Sequence, residues 1–124
     1  MDPKKIAREA RKQTHLERLG TTTPRCGICG ETDWRCLEAH HIAGRHYDPT
    51  TAVICRNCHR RLSDDQRDHP KPIDNTPSPQ EIWAHMLFGI ADFLVLAAET
   101  IRGVAEALIA MVRSAAAQRQ TAPR

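Results

Sequence analysis

The chain has 124 residues, 4% of them aromatic, and 18 Lys/Arg against 15 Asp/Glu, a formal net charge of +3 at pH 7. That length allows one small domain with extensions and excludes two full domains. So few aromatics exclude a large packed core, and a bound metal is the expected substitute for the missing apolar burial. The charge is unevenly placed: residues 1–62 hold twelve Lys/Arg and seven Asp/Glu, and residues 63–124 hold six and eight. The basic half suits a polyanionic partner. The charged N-terminus has no apolar run of the kind that leads a secreted chain. The expected location is therefore cytoplasmic, where thiols stay reduced.

Residues 1–23 read as a basic N-terminal helix and a short connector. The helix spans about residues 4–19 and stops at Gly20, a common residue just past a helix end. Ile6, Leu16 and Leu19 make only a thin apolar face. Lys4, Lys5, Arg8, Arg11 and Lys12 are candidate phosphate contacts, and a merely solvated helix is the competing reading. His15 has no expected role.

Residues 24–63 hold the chemistry. Two Cys-x-x-Cys knuckles, Cys26/Cys29 and Cys55/Cys58, are separated by 25 residues. Each knuckle puts two thiolates on a tight turn, and four sulfurs close a tetrahedral shell, the form of a structural zinc site. Two disulfides or redox thiols are the weaker alternative. Gly27 and Gly30 are expected to give the first knuckle its positive-φ turns. Trp34–Ile42 alternates loosely and predicts a strand ending in the pair His40-His41, with Cys36 buried on it. A loop follows, with Gly44 and Asp48-Pro49 as turn residues and His46 and Tyr47 beside the site. Residues 52–54 predict a short second strand, and residues 57–62 a helix carrying His59 inward. Arg35, Arg45, Arg56, Arg60 and Arg61 are further candidates for phosphate contact.

Residues 64–77 read as an extended linker, with Pro70, Pro72 and Pro77 among Asp, Asn and Ser, and with His69 exposed. Ser78-Pro79-Gln80-Glu81 then signals a helix start with a capping box. From Trp83 the apolar residues Trp83, Leu87, Ile90, Leu94, Ala97, Ile101, Val104, Leu108 and Met111 recur at steps of four and three. That is a heptad seam, predicting a helix over 78–118 of ~60 Å, followed by a tail at 119–124. A zinc module of this size cannot cover such a rod. A homo-oligomeric bundle is the favoured partner, another protein the second, and a membrane the third; Asp92, Glu99 and Arg102 interrupt the ~20 uncharged residues a span needs. Gly89 and Gly103 weaken the helix or permit close approach, and His85 is expected at a surface or interface.

The segments Cys26-Gly-Ile-Cys29, Leu37-Glu-Ala-His40-His41-Ile42 and Val53-Ile-Cys55-Arg-Asn-Cys58-His59 together resemble the HNH, or His-metal finger, endonucleases. The resemblance covers residues 24–63, about a third of the chain. It implies an α+β domain of two strands and a helix (ββα-metal) holding one catalytic ion, here stapled by zinc and flanked by the two helical extensions. Residue by residue, it makes His41 the general base and places the catalytic metal on His40 and His59. It puts the family's middle Asn at Thr50, whose hydroxyl would brace the loop that positions the base. The implied activity is metal-dependent hydrolysis of DNA, or RNA, leaving 3′-hydroxyl and 5′-phosphate ends. Mg²⁺, Mn²⁺, Ni²⁺, Co²⁺ or Zn²⁺ would serve as the catalytic divalent metal. The alternative function is a non-catalytic zinc module that docks on nucleic acid or protein and oligomerises through its C-terminal helix. A membrane-anchored nuclease is a third.

Overall fold

A computed structural model describes residues 2–123. Among the described residues it is a small α+β arrangement of three α-helices and one two-stranded sheet. Helix α1 spans Pro3–Leu19. Asp2 caps it by accepting from the Lys4 amide at 3.0 Å, and Gly20 ends it in the left-handed region at φ 75°. His15, which the sequence left without a role, points its Nε2 at the Leu37 carbonyl at 2.7 Å and ties α1 to the sheet.

The predicted first strand begins later than expected. Trp34–Cys36 form a 3₁₀ turn capped by Asp33, and strand β1 runs only over Leu37–His41. Asp33 is also locked to Arg35, at 3.0 and 2.9 Å through both carboxylate oxygens. Cys36 is half-buried rather than buried. Strand β2, Thr51–Cys55, pairs antiparallel to β1 with Leu37 opposite Cys55 and His41 opposite Thr51. The connecting loop closes where the Ile42 amide donates to the Thr50 carbonyl at 3.2 Å.

Helix α2 starts directly from β2 and spans Arg56–Arg67. It runs past the expected stop near Leu62, because the first true breaker is Pro70 and Ser63–Arg67 contains no residue that cannot be helical. The extended linker therefore shrinks to the residues between α2 and Ser78. Helix α3, Pro79–Thr121, has 43 residues, about 65 Å of rod. Ser78 Oγ caps it through the Glu81 amide, but the Glu81 carboxylate accepts from the Ile73 amide, not from Ser78, so the capping box is only half formed.

The core is small: Leu37, Ile54 and Leu62 are its fully buried large side chains, joined by Cys26, Cys55, Cys58 and Leu96. Leu96 belongs to α3. The long helix is thus not an appendage beyond a linker; its first half folds back and completes the module. Gly89 sets the crossing distance, since a Cβ there would lie 1.8 Å from the Ile42 carbonyl oxygen. Two histidines, His69 expected to be exposed and His85 expected at a surface or interface, are drawn into this contact. His85 is buried and its ring stacks on Tyr47 at 3.7 Å. His69 is largely covered and paired with Asp92 of α3 at 2.6 Å.

Candidate functional site

The four knuckle cysteines converge. Their sulfurs lie within 4.8 Å of one another, with Cys29 Sγ and Cys55 Sγ 3.6 Å apart. Four sulfurs at ~2.3 Å from one tetrahedral ion would be about 3.8 Å apart, so the spacing fits zinc. It is far too long for a disulfide, and all the cysteines are free. Local backbone geometry builds each knuckle. The Cys29 amide points at Cys26 Sγ and the Cys58 amide at Cys55 Sγ, each at 3.5 Å. Gly30 takes the positive φ, at 81°, whereas Gly27 does not. Gly27 eases packing instead: a Cβ there would sit 3.2 Å from the Phe93 ring of α3, which would have to shift by a few tenths of an ångström.

Ionisation of the cluster also points to a cation. Burial pushes Cys26 up, but amides of Cys29, Cys55 and Ile28 outweigh it and bring the thiol to about 7. Cys58 is pushed far up by burial and then by hydrogen bonding and charge from Cys55 and Cys26. One thiolate forms readily while the Cys29 and Cys58 thiols resist, so a full set of four needs a divalent ion at the centre.

Beside the cage, the strand alternation of β1 puts Glu38 and His40 on one face and His41 on the other. His40 is 3% exposed, and its ring meets that of His59 from α2 edge-on, with centres 5.3 Å apart. His59 Nδ1 bonds Glu38 Oε2 at 2.5 Å, and Glu38 Oε1 takes Arg56 Nε at 3.4 Å. Glu38 was not singled out from sequence, although its place two residues before His40 on one strand face was a usable signal. His41 stands at the last paired position of β1, its carbonyl held by Gln66 Nε2 from α2 at 2.8 Å. Among the described residues, the cysteines are the only group of three or more potential ligands close enough to share an ion; His40 and His59 meet as a pair.

His59 and Glu38 line an open groove of about 1000 Å³ whose rim carries Arg56, Arg60, Arg61 and Arg67. Arg67 was missed because the helix was expected to stop before it. The other basic candidates lie elsewhere: Arg45 is exposed in the loop with His46, and Lys4, Lys5, Arg8 and Arg11 are exposed along α1. Arg11 borders a separate hollow with His15 and Trp34, Lys12 lines a further one, and none of the α1 cations reaches the groove. Thr50 is exposed, its amide held by Asp48 Oδ1 at 2.8 Å. The Thr50 hydroxyl and then its amide hold the Asp48 carboxyl below the usual carboxylate range, so Thr50 steadies the loop through Asp48.

No protein-family model, curated protein or solved structure matches this chain. What the site can do therefore rests on its own geometry.

Burial, and then the neighbouring His59 and His41, lower His40 to about 4, against a weaker opposing pull from Asp92. His40 is thus neutral when folded, with a lone pair available. Because its folded value lies below the unfolded one, the stability it contributes is complete above pH ~6.5 and is lost as pH falls toward 4. The difference is of order 3 kcal/mol. Urea melts from pH 7 to 5 should therefore lose stability more steeply in the wild type than in His40→Asn. Parallel slopes would show that His40 is not held neutral by burial.

Proposed function

We propose that residues 24–63 form an HNH-type, metal-dependent endonuclease centre that hydrolyses DNA phosphodiester bonds. One observation carries the reading. His40 of β1 and His59 of α2 meet ring to ring, and Glu38 holds His59 in the wall of an arginine-rimmed groove. Two imidazoles sharing a tetrahedral ion through ring nitrogens at ~2.1 Å would have centres about 5 Å apart, close to the spacing found. The cysteine cage supports this arrangement indirectly: Cys55 and Cys58 open α2 and so set the position of His59 one residue later.

In this reading each residue has a separate task. Glu38 accepts the Nδ1 proton of His59, which fixes the ring and leaves Nε2 toward the ion. His40, dry and neutral, supplies the second nitrogen. A divalent ion held by only these two groups keeps open positions, and it would polarise the phosphate and neutralise the departing 3′ oxygen. The family resemblance assigns His41, at the strand end on the face opposite His40 and outside the groove lining, to take the proton from the attacking water, a role suited to a residue type that titrates near neutrality. The water oxygen bonds to phosphorus as the bond to the 3′ oxygen breaks, leaving 3′-hydroxyl and 5′-phosphate ends. Arg60, Arg61 and Arg67 would hold flanking phosphates, and Gln66 and the Thr50 carbonyl both steady the peptide unit that follows the base.

Plasmid cleavage in Mg²⁺, Mn²⁺ or Ni²⁺ tests this directly. The wild type should nick and linearise the DNA, and His41→Ala should be slower by about 10²- to 10⁴-fold while retaining its zinc. Equal cutting by both proteins would reject His41 as the base. Salt-sensitive binding with no cutting under any metal would replace the enzyme with a binding module.

A further inference from the structure

Helix α3 has two faces, and the fold uses only one. His85 and Leu96, at 4% and 5% exposure, turn toward the module together with Gly89 and Asp92. The heptad seam lies on the opposite side: Trp83, Leu94 and Ile101 are 68%, 62% and 70% exposed. From Ile101 to the end of the helix almost every residue is exposed. We propose that this open face is a self-association surface on which two copies pair their α3 helices antiparallel, about a two-fold axis near residues 98–100.

Its extent suits a stable interface. Trp83 to Ala115 spans about 48 Å of helix. Covering the seam and its flanks along that length removes roughly 800 Å² per copy, the standard size of a specific contact. The flank is made for close approach: Ala84, Ala91, Ala98 and Ala105 recur every seven residues beside the seam, all exposed. Neither the seam nor this stripe contains a charge, whereas Glu99, Glu106 and Arg113 share the far face with Asp92.

Side-chain sizes select a second copy and its direction. In an antiparallel pair centred near residue 99, Trp83 faces Ala115 and Ala97 faces Ile101, so that large meets small in these two layers, while the layers between them pair residues of similar size. A parallel pair would set Trp83 against Trp83 and Ala97 against Ala97, overfilling one layer and leaving a void in the other. The contact is isologous and closes as a dimer.

A lipid occupant fits less well. The helix has a stretch of mean hydropathy 1.6, long and apolar enough to cross a membrane. A span needs lipid on all sides for ~20 residues. The module already covers one side at His85, Gly89 and Leu96, and Asp92 is paired with His69. Beyond that region Glu99, Arg102, Glu106 and Arg113 break up the rod.

Sedimentation equilibrium of the zinc-loaded full chain should give twice the 14.0 kDa chain mass at micromolar concentration. The exposed-site double variant Leu94→Glu/Ile101→Glu should dissociate at least 100-fold more readily, with zinc content unchanged. In a Cys36→Ser background, mixing Trp83→Cys and Ala115→Cys chains should yield the mixed disulfide. A single-chain mass for the wild type, a dimer indifferent to the two glutamates, or cross-linking of Trp83→Cys to itself would overturn the proposal. So would a monomeric wild type that floats with phosphatidylglycerol vesicles, since lipid would then cover the face.

Discussion

Removing zinc, or changing Cys55→Ser, is expected to unfold the module that carries the histidines. Among the described residues, only Leu37, Ile54 and Leu62 are fully buried large side chains, and a two-stranded sheet is marginal on its own. Cys55 does three jobs at once: it ends β2, caps α2 through its sulfur, and supplies a corner of the cage. A structural zinc site contributes about 10–16 kcal/mol of apparent binding free energy in small zinc domains. The net stability of a whole domain is only ~5–15 kcal/mol, so the module cannot absorb that loss. Circular dichroism after chelation should retain helical signal from α3 while backbone amide NMR signals of residues 26–62 collapse. One equivalent of Zn²⁺ should restore them. A metal-free chain with the same cooperative melt as the loaded one would show that the cage does not hold the fold.

Gly89→Ala should detach α3 from the module. On an isolated helix this change would help by ~1 kcal/mol, because glycine is a poor helix former. Here the added carbon would meet the Ile42 carbonyl oxygen at 1.8 Å and its carbonyl carbon at 2.7 Å. Backbone cannot rotate aside as a side chain can, so the helix must retreat by more than an ångström. That retreat opens the contacts of Leu96, the His85–Tyr47 stack and the His69–Asp92 pair together. Overpacking of this kind typically costs 1–3 kcal/mol and more where backbone is involved. The expected net result is therefore a loss of a few kcal/mol in thermal or urea unfolding, with faster amide exchange in residues 85–96 and zinc still bound. A melt raised or unchanged by the substitution would mean that the helix does not cross at this residue.

Much of this was legible from local patterns. The knuckle spacing foretold the convergence of Cys26, Cys29, Cys55 and Cys58, because two thiolates on a tight turn leave few other arrangements. Gly20, Ser78 and Pro79 marked helix ends through backbone conformations that few other residues supply. The two short strands followed from the run into His40-His41 and from Ala52–Ile54. The stop of α2 was misjudged because polar residues 63–67 say nothing about helix or linker until the Gln66 contact with β1 is known. Glu38 and Arg67 escaped notice for a related reason: each matters only through a neighbour more than twenty residues away or through a shared groove.

The sequence by itself determined that there is a four-sulfur cage and a long amphipathic helix, since ligand type, spacing and heptad period are properties of the chain within a few turns. Which side of that helix meets the module was decided only by tertiary structure. The period marks an apolar face but not its partner. The module instead takes the opposite face, where Gly89 lets backbone approach backbone, His85 stacks on Tyr47 and Asp92 pairs with His69. The larger apolar face is left outward because a core this small has no surface wide enough to cover it.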